Sequence, residues 1–329
     1  MKMRMHHPWL LLITIFSFLI VSACSNRIPQ NSVSSQSSLS ASASACRNVQ
    51  HALGEICVPM NPQRVITLDN SPLDAALALG VMPVGSTEFR KFNIYPDGEY
   101  RQIVEIGGNF QPNFETILSL NPDLLLGCQT IHQSIYKQLT QIAPTVMAGN
   151  CDTAWKEDLK IYAEALGKPK EAETLLADYH TRIVEFQQKM GDRLNETEIS
   201  LTESTPEFVR IYLEGFTSAV IEETGLSRPP FQRKNPAVKE NWAKVISLET
   251  LRLIDADIIF VISWETSFDP GKPQLEVMRD NPLWSQLNAV KQGRVHTVNY
   301  GTWAVARSIG GANRILDDLF KYLIEEWEE

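Results

Sequence analysis

Aromatic and cationic residues gather just behind apolar runs in this chain. Trp264 directly follows Asp257–Ser263, while Tyr300, Trp303 and Arg307 follow Val295–Val298. Ser308-Ile309-Gly310-Gly311 then places a glycine turn at a helix start, where free backbone N–H groups can hold an oxyanion. Arg90 and Tyr95 stand behind a comparable run in the first half of the chain. Arginine forks grip carboxylate-rich or catecholate-like anions, and tryptophan faces pack on a ligand's organic backbone. The chemistry offered is capture of an anionic, partly organic small molecule. Taken singly, each residue also has a plain structural use, since tryptophans fill interiors and arginines coat surfaces.

Bond-making chemistry has little support. The chain lacks a Walker P-loop, G-x-G-x-x-G, G-x-S-x-G and H-E-x-x-H. Four histidines lie outside the N-terminal segment (His51, His132, His180, His296), scattered and not at metal-ligand spacing, so no protein metal site is expected. The formal charge is −9. Nucleic acid is excluded as a partner, because phosphate binding needs a basic face. An anionic ligand must be caught by local arginines and lysines, not by the overall field.

These residues need a scaffold, and the chain repeats one. Phe114–Leu126 returns 134 positions later as Leu248–Phe260. Each copy has a polar helix-start residue (Asn113, Ser247) able to cap first-turn N–H groups, then a first-turn glutamate (Glu115, Glu249) at the positive end of the helix dipole. An apolar helical face and an acidic corner follow, leading into a buried strand. Duplication predicts two α/β lobes with a cleft between them. A matched glutamate on each lobe points to a partner that grips both.

The N-terminus reads as an address. Lys2 and Arg4 precede an apolar run, Trp9–Val21, too short for a stable span, and Val21-Ser22-Ala23-Cys24 has the pattern of a bacterial lipoprotein signal. Residues 1–23 are expected to be removed, leaving Cys24 lipidated; loss of Lys2 and Arg4 takes the charge to −11. Residues 25–45 hold nine serines and no aromatic, a composition that forms a flexible tether rather than a core. The tether is drawn over 24–57. Four further cysteines fit an exported protein. Of three possible connectivities, local pairing of Cys46 with Cys57 and of Cys128 with Cys151 is favoured.

Strand-like and helix-like runs then alternate: a strand at Arg64–Asp69, a helix from Leu73 to Leu79, strands at Pro83–Thr87 and around Val146, and a helix near Ser134–Ile142. Leu176, Tyr179, Ile183, Phe186 and Met190 recur at helical spacing, predicting a long helix from about Glu171 to Met190. The resulting division is a first lobe over 58–165, an inter-lobe helix within 166–195, and a second lobe over 196–329.

In sum these segments resemble the periplasmic iron(III)-siderophore and iron-dicitrate substrate-binding proteins, the class that also holds cobalamin binders. The resemblance spans about Val58 to Leu323. It is carried by Asn61-Pro62-Gln63-Arg64-Val65-Ile66-Thr67-Leu68-Asp69, Pro112-Asn113-Phe114-Glu115, Gly225-Leu226-Ser227-Arg228-Pro229-Pro230, Ile246-Ser247-Leu248-Glu249 and Asn281-Pro282-Leu283-Trp284. It implies two Rossmann-like lobes joined by a rigid helix, with a ferric siderophore held between them and its iron bound by the siderophore. It implies no cofactor, a monomer on a lipid anchor in the periplasm, and delivery to an ABC importer permease that docks Glu115 and Glu249. By position Arg307 matches a ligand-contacting arginine. Glu203 stands where relatives often carry an arginine, aligned through the following Arg210-Ile211-Tyr212. That departure favours a less anionic complex, of hydroxamate or citrate–hydroxamate type. Two rivals remain: the same fold binding haem or cobalamin, which a ligand titration separates, and an exported α/β enzyme, which needs a nucleophile–base pair that the sequence does not show.

Overall fold

The computed structural model describes residues 46–90, 94–95, 100–204, 208–233, 242–263 and 274–326. The signal, Cys24, the serine-rich stretch to residue 45 and Trp264 lie outside the described residues. Among the described residues no helix is long and apolar enough to cross a membrane.

A hairpin of β1 (Cys46–His51) and β2 (Gly54–Pro59) opens the described chain, closed by the Cys46–Cys57 disulfide. The tether drawn to residue 57 is corrected here. Arg47 hydrogen-bonds the backbone oxygens of Glu164 and Ala165, and the Ala52 amide donates to Met147, so the hairpin is fastened to the first lobe.

That lobe is a five-stranded parallel sheet in the order β5-β4-β3-β8-β9, formed by Val104–Glu105, Gly85–Ser86, Val65–Thr67, Leu124–Cys128 and Thr145–Ala148. Between β5 and β8, β6 (Gly107–Gly108) and β7 (Gln111–Pro112) make a small hairpin. The second lobe is a mixed sheet in the order β12-β11-β10-β13-β14 (Ala243–Ile246, Val209–Tyr212, Ile199–Ser204, Ile258–Ser263, Val295–Asn299) with β11 antiparallel. The two-lobed α/β architecture matches the reading of the duplicated segment.

The duplication is visible down to single side chains. Leu124, Leu126 and Cys128 of β8 and their counterparts Ile258, Phe260 and Ile262 of β13 face one continuous core. Leu125 and Ile259 face separate outer clusters, as the two-residue strand period requires. Asp123 accepts from the Gln63 and Arg64 amides, and its counterpart Asp257 accepts from the Glu198 amide, so each acidic corner pins its strand to a neighbour.

Helices α1 (Asn70–Ala78), α2 (Phe114–Ser119), α3 (Trp155–Leu166), α4 (Pro169–Met190), α5 (Phe216–Thr224) and α6 (Ile309–Phe320) surround the sheets. The long α4 starts at Pro169 in its first turn, where proline loses no hydrogen bond. Its Tyr179 meets Trp155 of α3 edge-on at 5.3 Å, and Trp155 meets Phe216 of α5 at 5.9 Å. Core side chains of α3, α4, α5 and α6 thus belong to one cluster that runs through both lobes.

Two expected helices differ. Ser134–Ile142 is broken into short turns (Gln133–Ile135, Tyr136–Leu139). The second repeat helix is a 3₁₀ segment, Leu248–Ile254, interrupted at Thr250. Asn113 caps α2 by accepting from the Thr116 amide at 2.9 Å, but the Ser247 side chain makes no capping bond and instead meets the Thr250 hydroxyl.

Candidate functional site between the lobes

A cleft of ≈ 610 Å³ lies between the lobes, within the range of small-ligand sites. The first lobe contributes Phe110, at the turn between β6 and β7, the short helical turn carrying Thr130, and the loop carrying Asn150 and Asp152. The second contributes Tyr212, the start of α5, Trp242, Tyr300 and Arg307.

Phe110 is 79% exposed, yet the turn that bears it is held firmly. Asn109 donates Nδ2–H to Asp69 (2.9 Å), accepts the Thr87 hydroxyl proton (2.6 Å), and offers its carbonyl to His132 Nε2 (3.0 Å). Behind the opposite side of the loop wall, the Cys128–Cys151 disulfide joins the ends of β8 and β9. The next residue, Asp152, accepts from the Phe216 amide at 2.7 Å. A carboxylate from one lobe therefore sits at the positive end of a helix of the other. Gly215 makes this approach possible: its φ is +109°, and an added Cβ would come 3.2 Å from the Asp152 carboxylate.

On the second lobe Glu203, 1% exposed, accepts from Arg210 Nη1 (2.6 Å) and the Tyr212 hydroxyl (2.8 Å). Arg210 lies 5.0 Å from the ring centre of Trp242, a cation–π distance. Burial, reinforced by Glu203, raises the Tyr212 hydroxyl well above its usual range and pushes Tyr300 up to about 12, so both remain proton donors. Glu203 is thus no cleft-facing replacement for an arginine. It is the buried partner of one.

Arg307 lines the cleft, but its guanidinium is turned away from an incoming fork. Nη2 lies 2.7 and 2.8 Å from the two oxygens of buried Asp69, Nε donates to the Val305 carbonyl, and the Ser71 hydroxyl donates to the Arg307 carbonyl. Its φ of +49° is a strained value for a residue with a Cβ. The pairing joins lobe to lobe, as does Asp74, which accepts from Arg314, the Gly311 amide and Tyr95.

Of the residues singled out from sequence, Arg307 and Tyr300 meet in the cleft. Three others are placed elsewhere. Trp303 is fully buried, 4.9 Å from Phe260 and donating Nε1–H to Asp318, because the π-helical turn after β14 drives it inward. Arg90 is an exposed surface residue that bonds the Arg101 and Ile103 carbonyls and pairs with Glu105. Tyr95 sits at the inter-lobe junction under Arg314. Phe110, Trp242 and Asp152 escaped sequence reasoning, as did the pairing of Glu203 with Arg210, although Glu203 itself was singled out. Their one visible trace is a pair of large aromatics, Phe110 and Trp242, in polar surroundings.

Glu115 and Glu249 are exposed, and neither pairs with another described residue. Asn113 bonds Ile106, just beyond β5, while Ser247 follows β12 directly. Since β5 and β12 both run parallel to their central strands, both glutamates lie at the carboxyl ends of their sheets. No group of three or more metal-ligating side chains occurs among the described residues.

Residues 65–299 match the family model described as "Periplasmic binding protein". The chain is 30% identical over 326 residues to the "Probable siderophore-binding lipoprotein YfiY" of Bacillus subtilis, covering 97% of this chain and 98% of that one. It is also 30% identical over 315 residues to the "Fe(3+)-citrate-binding protein YfmC" of the same organism, covering 94% of each. Among solved structures, Staphylococcus aureus SirA complexed with staphyloferrin B superposes with a TM-score of 0.72 at 28% identity, covering 84% of this chain and 98% of that one.

Proposed function

This chain belongs to the periplasmic binding protein family, and we propose that it captures a ferric siderophore and delivers it to the permease of an ABC importer. The observation that carries this reading is the cleft itself, walled on both lobes by aromatic rings and backed by arginine–carboxylate pairs. Rings such as those of Tyr212, Trp242 and Tyr300 pack against a siderophore's organic backbone. The siderophore brings its own iron ligands, so the protein supplies shape and hydrogen bonds and performs no bond chemistry. Hydroxamate or citrate–hydroxamate complexes are the favoured cargo. The name of the first Bacillus relative supports a siderophore cargo and a lipid anchor, assigned here to Cys24, and that of the second supports a ferric one.

Glu115 and Glu249 are the proposed permease contacts, and the protein acts as a periplasmic monomer on its lipid tether. Arg307 and Tyr300, joined by Phe110 and Trp242, are the proposed ligand contacts. The test is quenching of intrinsic tryptophan fluorescence by a panel of ferric siderophores, ferric citrate, haemin and cobalamin. Saturable quenching by a ferric siderophore at sub-micromolar concentration is expected. Binding of haemin or cobalamin in its place overturns the assignment.

A further inference from the structure

Among the described residues, Arg307 of the cleft wall and Arg210 beside cleft-lining Trp242 each pair with a buried carboxylate. Asp69, 0% exposed, bridges Arg307 Nη2 with its two oxygens. Glu203, 1% exposed, holds Arg210 Nη1 at 2.6 Å beside cleft-lining Trp242. The other charged residues of the described lining are Asp152 and Glu214, both acidic. Among the described residues of the wall and its backing, each arginine is thus matched by a buried carboxylate, and Asp152 adds a further negative charge.

A close ion pair acts on a ligand as a short dipole, so its field falls off much faster than that of a lone guanidinium. A carboxylate-rich complex would have to compete with Asp69 for Nη2 of Arg307 and would meet the field of Asp152 as well. Nη1 of Arg307 makes no hydrogen bond to a described residue, which leaves one amino group with two N–H donors suited to neutral carbonyl or hydroxamate oxygens. Phe110, Tyr212 and Trp242 add ring faces that attract positive charge.

Resting on the siderophore reading above and narrowing it to its hydroxamate alternative, we infer that Asp69 and Glu203 set the charge selectivity of the cleft, which takes ferric complexes of neutral or positive net charge, such as trihydroxamates, and discriminates against carboxylate-rich ones. Asp69 and Glu203 are specificity-determining residues that act through the arginines they hold. Removing either negative charge exposes a guanidinium to the cleft and draws the preference toward anions.

The experiment measures fluorescence-quenching affinities for three probes at one ionic strength: ferric dicitrate (strongly anionic), ferrichrome (neutral) and ferrioxamine B (singly positive). The full chain is compared with Asp69→Asn, Glu203→Gln and Asp152→Asn, each checked for native circular dichroism. The unaltered protein is expected to favour a trihydroxamate over ferric dicitrate by at least roughly tenfold. Each variant is expected to shift that ratio toward dicitrate by roughly three- to tenfold, the scale of one unit charge in a partly screened cleft. A lost structural contact would weaken all three probes alike and leave the ratio unmoved. An unmoved ratio in folded variants, or a preference for dicitrate in the unaltered protein, overturns the inference. Asp152→Asn keeps an acceptor for the Phe216 amide and carries the same test should Asp69→Asn fail to fold. Failure of every ferric complex to bind removes the siderophore reading itself, an outcome distinct from an unmoved ratio.

Discussion

Asp69 accepts from Arg307 Nη2, Asn109 Nδ2 and the Ser71 amide, all within 3.0 Å, and none of these groups belongs to the same element as another. It ties the Phe110 turn, the start of α1 and the second lobe to one buried carboxylate. Deleting the arginine leaves that carboxylate desolvated and short of its counter-charge. Arg307→Ala is therefore expected to cost about 3–5 kcal/mol in urea unfolding. A loss under about 1 kcal/mol would show that the pair is of the weak, solvated kind. His132 makes a second prediction. Its pKa is lowered, chiefly by burial and against the opposing pull of Asp69, and its ring accepts from the Cys128 amide at Nδ1 while Nε2 reaches the Asn109 carbonyl. His51 and His296 are lowered in the same way. With folded values below unfolded ones, the unfolded chain binds more protons as pH falls. Stability from these groups is complete above about pH 6.5 and declines through the folded values. The melting midpoint should fall between about pH 6.5 and 5.5, less so in His132→Gln; a midpoint that rises over that interval contradicts the shift.

The two repeat copies share a strand pattern but not a helix. α2 is capped by Asn113, whereas the segment after Ser247 has no side-chain cap and narrows to 3₁₀ geometry with a break at Thr250. Asn113→Ala should cost about 1 kcal/mol and Ser247→Ala close to nothing, by the ordinary value of an N-cap. Equal losses at the two sites would mean that the cap geometry is not what distinguishes them. Helices and strands were legible in proportion to their length. The long α4, with its five apolar residues at helical spacing, was read to within two residues at its start, because an amphipathic face persists over many turns. Residues 129–139 offered only a few apolar positions, and local turns won over a continuous helix.

Across the molecule, one apolar cluster runs from β8 through α4 to β13, and ion pairs of Asp69 and Asp74 cross between the lobes. Opening such an interface exposes packed side chains and separates buried charges, so large hinge motion is opposed. Small-angle scattering should show the same radius of gyration with and without bound ferric siderophore; a clear contraction would reveal a hinge that the shared core does not predict. The exposed glutamates belong to this level as well. Glu115→Ala combined with Glu249→Ala should abolish iron uptake while leaving affinity within about twofold, since exposed side chains outside the cleft contribute little to ligand energy. A matching loss of affinity would place them in ligand binding and end the docking role.

The duplicated segment, the alternation of its strands, the local cysteine pairs and the twin glutamates all rest on residue order and spacing along the chain, and the amino-acid order alone carried them. The cleft wall does not. Phe110 and Trp242 are 132 positions apart, and Asp69 meets Arg307 across 238. Nothing local distinguishes an arginine that faces a ligand from one held by a buried carboxylate, or Trp303 in the core from Trp242 at the surface. Those distinctions arise only when the sheets pack and desolvation selects which charges must find partners.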